Sequence, residues 1–541
     1  MTVRGGSGIS PSIDVYSSID DRWTGQTEGV VHTSYTTENS SIHQLSAQGA
    51  TYSQSANEMA LWAKVVYAAD STGNFTLSSR SGSAATLQQQ FIANGSLSGG
   101  NDFGDYGFAY QIGHLSQEAT VRFAVGVVRE DAVNYLGSSE SHFYRSQYPD
   151  IPSAVDHFFD DYEAAAKESE TLDLSIETTA TSLGGSNYSD ILALSTRQVF
   201  GAIDLTVSSD TLDTNYVKAF IKEISSNGNM NTVDIIFPLF PFFYVFAPEY
   251  IKLLLDPILQ YSKAGRYPHS WAIHDLGTNY PNATGHDDGN DEHMPIEETG
   301  NVLILINAYE KATGDTSWAA NYTSLLSGYA DYLKENGLHS TWQFSTTDGL
   351  GGYANMTSLG IKAAVGLSAY GDLTGQQNWT DLGSSFAEQI NTDGVGVYTS
   401  SATKQSYFDL VYGNETWYLT FNIFPAALFN QTTFNQSTYV AQSDFYPTVR
   451  GEGGVAIAGN AQWGKTDWDF WMAAVAESGT RELFINDIHA YISNGKNTQP
   501  FSDKYFVTGE KQGLASFRAR PTVGAHWAIW ALEKGPNSGG L

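Results

Sequence analysis

The sequence predicts a multidomain β + α chain. It places a β-sandwich over residues 1–150, a linker helix within 151–185 and a ring of six helical hairpins over 186–541. Three observations predict this. Residues 1–150 alternate apolar and polar positions between turns rich in Gly and Ser. From about Tyr188 the apolar period turns helical. Twelve helical stretches then follow one another, in a chain whose 541 residues exceed one small core.

In the first part, Ser12-Ile13-Asp14-Val15-Tyr16 alternates, and residues 120–127 carry apolar side chains at every second place. Turns at Ser71-Thr72-Gly73-Asn74 and Gly99-Gly100-Asn101 separate such runs. An antiparallel sandwich follows from these signals. Residues 152–168 read as a helix with Phe158, Phe159 and Tyr162 on one side. The helical stretches lie near 188–203, 232–246, 249–262, 296–313, 317–336, 357–374, 377–390, 416–429, 435–445, 465–477, 479–494 and 522–534. The loops between them alternate in length, which predicts six hairpins closed in a ring. No internal repeat marks a solenoid.

Composition excludes several functions. A formal charge of −31 and a pI near 4.5 argue against nucleic acid and anionic membrane surfaces as partners. The most apolar run, from Phe237 to Phe246, contains Pro238 and Pro241 and is too short to span a bilayer. With no cysteine, disulfides, thiolate catalysis and Cys-ligated metals are ruled out. Eleven Asn-x-Ser/Thr sequons hint at secretion, while the first six residues lack the apolar stretch of a signal peptide.

Chemistry concentrates in loops ahead of predicted helices. The richest runs from Pro268 to Asn301 and holds Trp271, His274, Asp275, His286, His293, Glu297 and Glu298 between turn residues. Pro295 suits the first turn of a helix, and Glu297 and Glu298 follow where the helix dipole favours negative charge. One reading leaves the two glutamates serving only that dipole. The run Val302-Leu303-Ile304-Leu305-Ile306 favours another, since a helix apolar all round is buried and its N-terminus then lies at something internal. A second loop carries Glu223, Asn227, Asn229 and Asn231. Asn231 and Asp234 have the spacing of a capping box, which leaves Glu223, Asn227 and Asn229 to bind a polar ligand. Asp348 and the pair Asp467 and Trp468 mark two further loops.

No Gly-x-Ser-x-Gly elbow is present, and the Ser-x-x-Lys matches at Ser401 and Ser493 fall in loops. Hydrolysis would then use paired carboxylates, one protonated acid and one ionised base or nucleophile. Asp275, Glu297, Glu298, Glu223 and Asp348 are the candidates. The histidines lack His-Glu-x-x-His spacing, so no metal centre is assigned. Ca²⁺ among Asp287, Asp288, Asp291 and Glu292 remains an alternative to a solvated acidic loop.

At these residues the chain resembles the fungal glutaminase A family. The segments that carry the resemblance are residues 223–234, His274-Asp275-Leu276-Gly277 with Tyr280 to His286, Met294 to Asn301, and Lys465-Thr466-Asp467-Trp468. The resemblance extends from about Ile13 to the C-terminus. It implies secretion, an N-terminal β-sandwich, a C-terminal (α/α)6 toroid bearing the site, and hydrolysis of L-glutamine to L-glutamate and ammonia. The resemblance carries over motif positions and not roles; the candidates for substrate contact among the loop residues are Asn227, Asn229, Asn231, His274, Trp271, Asp467 and Trp468. Departures are visible. Relative to the family the sandwich looks N-terminally truncated. Thr347-Asp348 replaces an Asp-Asp pair, and Ile457-Ala458-Gly459-Asn460 replaces a segment holding Asp and Arg, a loss that would weaken a small amino-acid substrate. Two rivals therefore stand beside a glutaminase: a glycoside hydrolase using the same carboxylates, with Trp271, Trp342, Trp468 and Trp471 for sugar stacking, and a non-catalytic glycan-binding module.

Overall fold

The computed structural model describes residues 1–536 apart from 5–11, 27–28, 55–59, 101, 116–117 and 278, so Asn101, expected in a turn, lies outside them. The chain divides into two compact units, Met1–Ser169 with Leu205–Val217, and Glu170–Asp204 with Lys218–Leu541. The stretch Leu205–Val217, which the sequence reading places among the helices, groups with the first unit.

In the first unit two antiparallel sheets share one core. Three strands run in the order Ser12–Asp20, Asp105–His114, Thr76–Gly82. Four run in the order Val31–Thr36, Ser40–Ser46, Lys64–Asp70, Phe123–Val128. Val15, Ile19, Tyr106 and Phe108 from the first meet Leu45, Val65 and Tyr67 from the second, the packing of a β-sandwich. Residues 120–127 depart from expectation. The strand starts only at Phe123, and Val125 and Val127 are 46% and 56% exposed on a sheet edge. A helix, Ala84–Asn94, was not signalled by the period-2 pattern. Helix Ile151–Asp160 opens with a capping box between Asp150 and Ser153, and Gly185, at φ +80°, breaks the next helical run, Tyr162–Val199.

In the second unit helices alternate between an outer and an inner ring. The outer helices are 186–199, Glu249–Lys263, Thr323–Asn336, Gln377–Ile390, Gln436–Val449 and Ser478–Ile492. The inner segments are Val233–Phe246, Pro295–Thr313, Thr357–Thr374, the 3-10 turn Phe421–Ile423 with Phe424–Leu428, Thr466–Val475, and the 3-10 stretch Pro521–Trp527 with Ala528–Lys534. Each inner segment packs on the next, and the last packs on the first, so the ring closes as an (α/α)6 toroid. All fourteen residues of Val233–Phe246 are buried, including Pro238 and Pro241. The two prolines remove two backbone donors, a cost offset by the apolar packing of a helix buried all round.

Strict alternation makes the inner helices parallel, so their six N-termini share one end. The long loops lead into that end and the short ones leave the other. The N-terminal partial charges of the inner helices pool beneath the long loops. Small residues set the helix spacing. A Cβ on Gly300 would lie 2.5 Å from Cγ of Lys362, and one on Gly366 would lie 3.2 Å from Cα of Gly300.

Two buried histidines make stability depend on pH. His43, in the sandwich core, bonds His32 through Nδ1 at 2.9 Å and packs against Phe108; burial, with His32 beside it, pushes its pKa down to about 4. His526, in the toroid, joins Ser195 Oγ at 2.7 Å and Thr466 Oγ1 at 2.9 Å, and burial pushes it down to about 3. Both folded-state values lie below the unfolded value, so the fold favours the neutral rings. Their contribution is complete above roughly pH 6.5 and is lost as pH falls toward the folded-state values. For His43 the loss is about 3 kcal/mol. Urea unfolding from pH 8 to 4 should show His43→Phe losing less stability than the parent by about that amount; parallel curves would rule out the assignment.

Candidate active site

The floor of the funnel is built from the first turns of two inner helices and the loops around them. Asp234 is the second residue of Val233–Phe246, and Glu297 and Glu298 stand in the first turn of Pro295–Thr313. Neither helix has a side-chain N-cap bond, so these acids lie at N-termini left open to the dipole. Loop residue His274 reaches the centre. Its Nε2 lies 3.8 Å from Asp234 Oδ1, 3.8 Å from Glu298 Oε1 and 3.7 Å from Glu292 Oε2. Ligating atoms of Asp234, His274 and Glu298 all lie within 4.8 Å of one another, the arrangement among the described residues that could hold a metal.

Asp275 positions His274. It accepts hydrogen bonds from His274 Nδ1 at 2.8 Å, His286 Nε2 at 2.7 Å, Asn229 Nδ2 at 3.1 Å and the Gly277 amide at 2.6 Å. Burial alone would raise its pKa, but the bonds from His274 and His286 reverse this and hold it well below the usual range. It stays ionised with its oxygens occupied, which corrects the expectation that Asp275 supplies acid–base chemistry. His274 is drawn the opposite way. Burial would lower it, and Asp275 first, then Glu298 and Asp234, raise it well above its ordinary value. His286 also lines a cavity of 590 Å³ with Gly277, Asn282 and Thr284.

The two glutamates differ. Glu298 is fully buried; Oε2 accepts from Asn301 Nδ2 at 3.0 Å, and Oε1 has no hydrogen-bond partner among the described residues. Burial, then the charge of Asp234, pushes its pKa well above the ordinary value, which favours its protonated form. Glu297 is paired instead. Lys362 Nζ lies 3.0 Å from its Oε1, donates to Asn301 Oδ1 at 2.5 Å, and sits 3.4 Å over the Phe237 ring. Burial raises Asp234 to about 7 and also raises Glu292, whose side chain stays 30% exposed toward the funnel.

The remaining expected residues separate. Asn231, at φ +49°, accepts from the Ile221 amide on its Oδ1 and donates from its Nδ2 to Ala219 O and Leu254 O. It therefore pins the loop to an outer helix, and neither the capping box with Asp234 nor a substrate contact stands. Trp468 is fully buried against Phe421, with ring centroids 4.1 Å apart, and belongs to the core and not to a binding surface. Asp467 is buried 2.9 Å from Lys465 Nζ, which also reaches Asp503 at 3.1 Å. Glu223 pairs with Arg520 at 3.1 Å. Asn229 holds Asp275, and Asn227 is exposed with its Oδ1 on the Asn229 amide. Asp348 is exposed and outside the buried cluster. Trp271 stacks on His269 at 4.1 Å. The loop acids do not share a centre: Asp287 binds Arg266, Asp291 accepts from Tyr267 and the His274 amide, and Asp288 turns to Asn290, leaving only Glu292 facing the cluster.

Sequence reasoning missed Lys362, Arg520 and the central place of Asp234. Lys362 left a signal, a lone charge in Leu359-Gly360-Ile361-Lys362-Ala363-Ala364. Arg520 left none beyond its place just before a helix.

A closed ring of six hairpins with a buried carboxyl among acids at the inner-helix N-termini is the build of a toroidal hydrolase. A family model described as "Glutaminase A six helical-hairpin domain" matches residues 185–530, and one described as a domain of unknown function matches residues 1–179. The chain belongs to the glutaminase A family. It is 32% identical to Glutaminase A of Aspergillus oryzae, over 97% of this chain and 78% of that one. It is 28% identical to a probable glutaminase of Arthroderma benhamiae, over 73% of this chain and 55% of that one. Among solved structures it aligns with a Streptococcus pneumoniae metal-independent α-mannosidase at 12% identity, 68% of this chain, 98% of that one and TM-score 0.46. It also aligns with a bacterial glucoamylase at 9% identity, 93% and 81% coverage and TM-score 0.43. No helix among the described residues is long and apolar enough to cross a membrane.

Proposed function

We propose that the chain is an exported glutaminase, hydrolysing L-glutamine to L-glutamate and ammonia with carboxylates of the toroid funnel. The observation that carries this reading is Glu298 Oε1, a buried carboxyl oxygen without a hydrogen-bond partner among the described residues, clustered with Asp234 and His274 and with Glu292 3.7 Å from His274 Nε2. Glu292, the more open acid, takes a proton from water as the oxygen attacks the amide carbon. Glu298 gives its proton to the leaving nitrogen, and ammonia departs. The proton held by Glu292 then restores Glu298. His274, raised well above its ordinary value, offsets the charge that builds on the acids. Similarity to Glutaminase A over nearly the whole chain supports glutamine as the amide. Export belongs to the same reading, since sequon asparagines such as Asn74, Asn94, Asn321 and Asn378 are exposed; glycan on them in protein recovered from the medium is the check.

One observation favours a sugar. Trp342, 54% exposed, stacks on His293 at 6.5 Å, and Trp271 meets the same ring at 5.9 Å, a rim suited to a pyranose face. Ammonia release from L-glutamine between about pH 4 and 8, beside reducing-sugar release from a glycan panel, separates the two. Ammonia without sugar is expected. Sugar without ammonia would transfer the same carboxylates to a glycosidic bond.

A further inference from the structure

We propose that Asp234, His274 and Glu298, with Glu292 beside them, form a binding site for one divalent transition-metal cation, of the Zn²⁺ or Mn²⁺ kind. The three oxygens stand 3.7–3.8 Å from His274 Nε2, too far for hydrogen bonds and nearly equidistant. Ligating atoms of Asp234, His274 and Glu298 within 4.8 Å of one another, two of the edges 3.8 Å, leave a point about 2.1–2.5 Å from each, within the range of metal–ligand bonds. The other ring nitrogen of His274 is held by Asp275 at 2.8 Å. This carboxylate–histidine arrangement fixes the tautomer and aims Nε2 at the centre. Asp275 is locked in turn by His286, Asn229 and Gly277, so the ligand is braced from behind.

An independent observation points to the same place. Glu298 Oε1 is fully buried, has no hydrogen-bond partner among the described residues and faces this centre. Such an atom is costly to leave unmatched. The donor set selects the kind of ion. An imidazole nitrogen among carboxylate oxygens suits Zn²⁺ or Mn²⁺, whereas Ca²⁺ and Mg²⁺ favour oxygen alone. The three ligands come from the first turns of two adjacent inner helices that pack on each other and from the loop between those helices.

The inference does not rest on glutamine being the substrate. Glu298 Oε1 either ligates the cation or holds the proton that amide hydrolysis needs, so a bound cation should stop that reaction. The test is titration of the chelator-stripped full chain with ZnCl₂ and MnCl₂ by calorimetry, with CaCl₂ as comparison and metal analysis for stoichiometry. One ion per chain is expected, with Zn²⁺ or Mn²⁺ far tighter than Ca²⁺. Glu298→Gln should weaken binding at least a hundredfold. Asp275→Asn, which leaves every ligand in place, should weaken it about 10–100-fold without changing stoichiometry. Asp287→Asn with Asp288→Asn should leave it unchanged. Melting curves establish that each variant is folded, and Zn²⁺ should raise the melting temperature of the parent and not of Glu298→Gln. Absence of saturable binding below millimolar, or binding unaltered in Glu298→Gln, overturns the proposal. The two readings fail separately. Turnover that requires the cation keeps the site and removes the metal-free acid–base scheme. Turnover lost in Glu298→Gln with no cation bound by the parent does the reverse.

Discussion

Glu298→Gln is expected to lower turnover on glutamine a hundredfold or more, in the range a general acid supplies, about 2.7 kcal/mol of barrier or greater. The substitution keeps the size of the side chain and an oxygen for Asn301, which donates at 3.0 Å. What it removes is a proton that can be transferred. Burial and the neighbouring Asp234 favour the protonated form of Glu298. The loss should fall on kcat more than on KM, since the proton moves only as the carbon–nitrogen bond breaks. The parent and the variant should melt together. A variant retaining more than a tenth of parental kcat would remove Glu298 from the chemistry and direct attention to Asp234, whose pKa of about 7 also suits proton transfer.

Lys362→Met should destabilise the toroid by about 3–5 kcal/mol, the usual cost of leaving one partner of a buried ion pair alone. Both groups of the pair are fully buried, with Nζ 3.0 Å from Glu297 Oε1. Without the lysine, Glu297 keeps only a distant amide, that of Thr346 at 3.4 Å. Adding Glu297→Gln to Lys362→Met should restore most of the loss, because the uncompensated charge is then gone. Urea midpoints of the two single variants and the double variant measure this coupling. Additive losses would show that the pair is not a unit. Asn301 bridges Lys362 and Glu298, so Lys362→Met is also expected to disturb turnover while Glu298 itself is unchanged.

The helices were legible because inner and outer segments carry different patterns. Pro295 with Glu297 and Glu298 ahead of an apolar run announced both a buried helix and an acidic N-terminus, and both are found. The roles of the acids were not legible. Asp275 and Glu298 are both carboxylates in polar loops or first turns, yet one is fixed ionised and the other is pushed toward its protonated form. The difference comes from His286, Asn229 and Gly277 around Asp275, and from the dry wall around Glu298, neither of which is local in sequence. Asn231 misled for a related reason. Its neighbours suggest a ligand site, while its three hydrogen bonds go to Ala219, Ile221 and Leu254. Trp468 looked available because it stands beside Asp467, but helix rotation turns it onto Phe421.

The closure of the inner ring has a consequence for how the chain is made. The first inner helix, Val233–Phe246, finds its last neighbour in Pro521–Trp527 and Ala528–Lys534, near the far end of the sequence. During synthesis that helix emerges with its seam open and phenylalanines such as Phe242 and Phe246, which later contact Trp527, uncovered. Until the closing segment leaves the ribosome, the nascent chain presents an aromatic gutter that invites chaperones or neighbouring chains. Assembly is therefore gated by the helix that closes the ring, and loss of that short segment would strand the toroid as an open, adhesive arc.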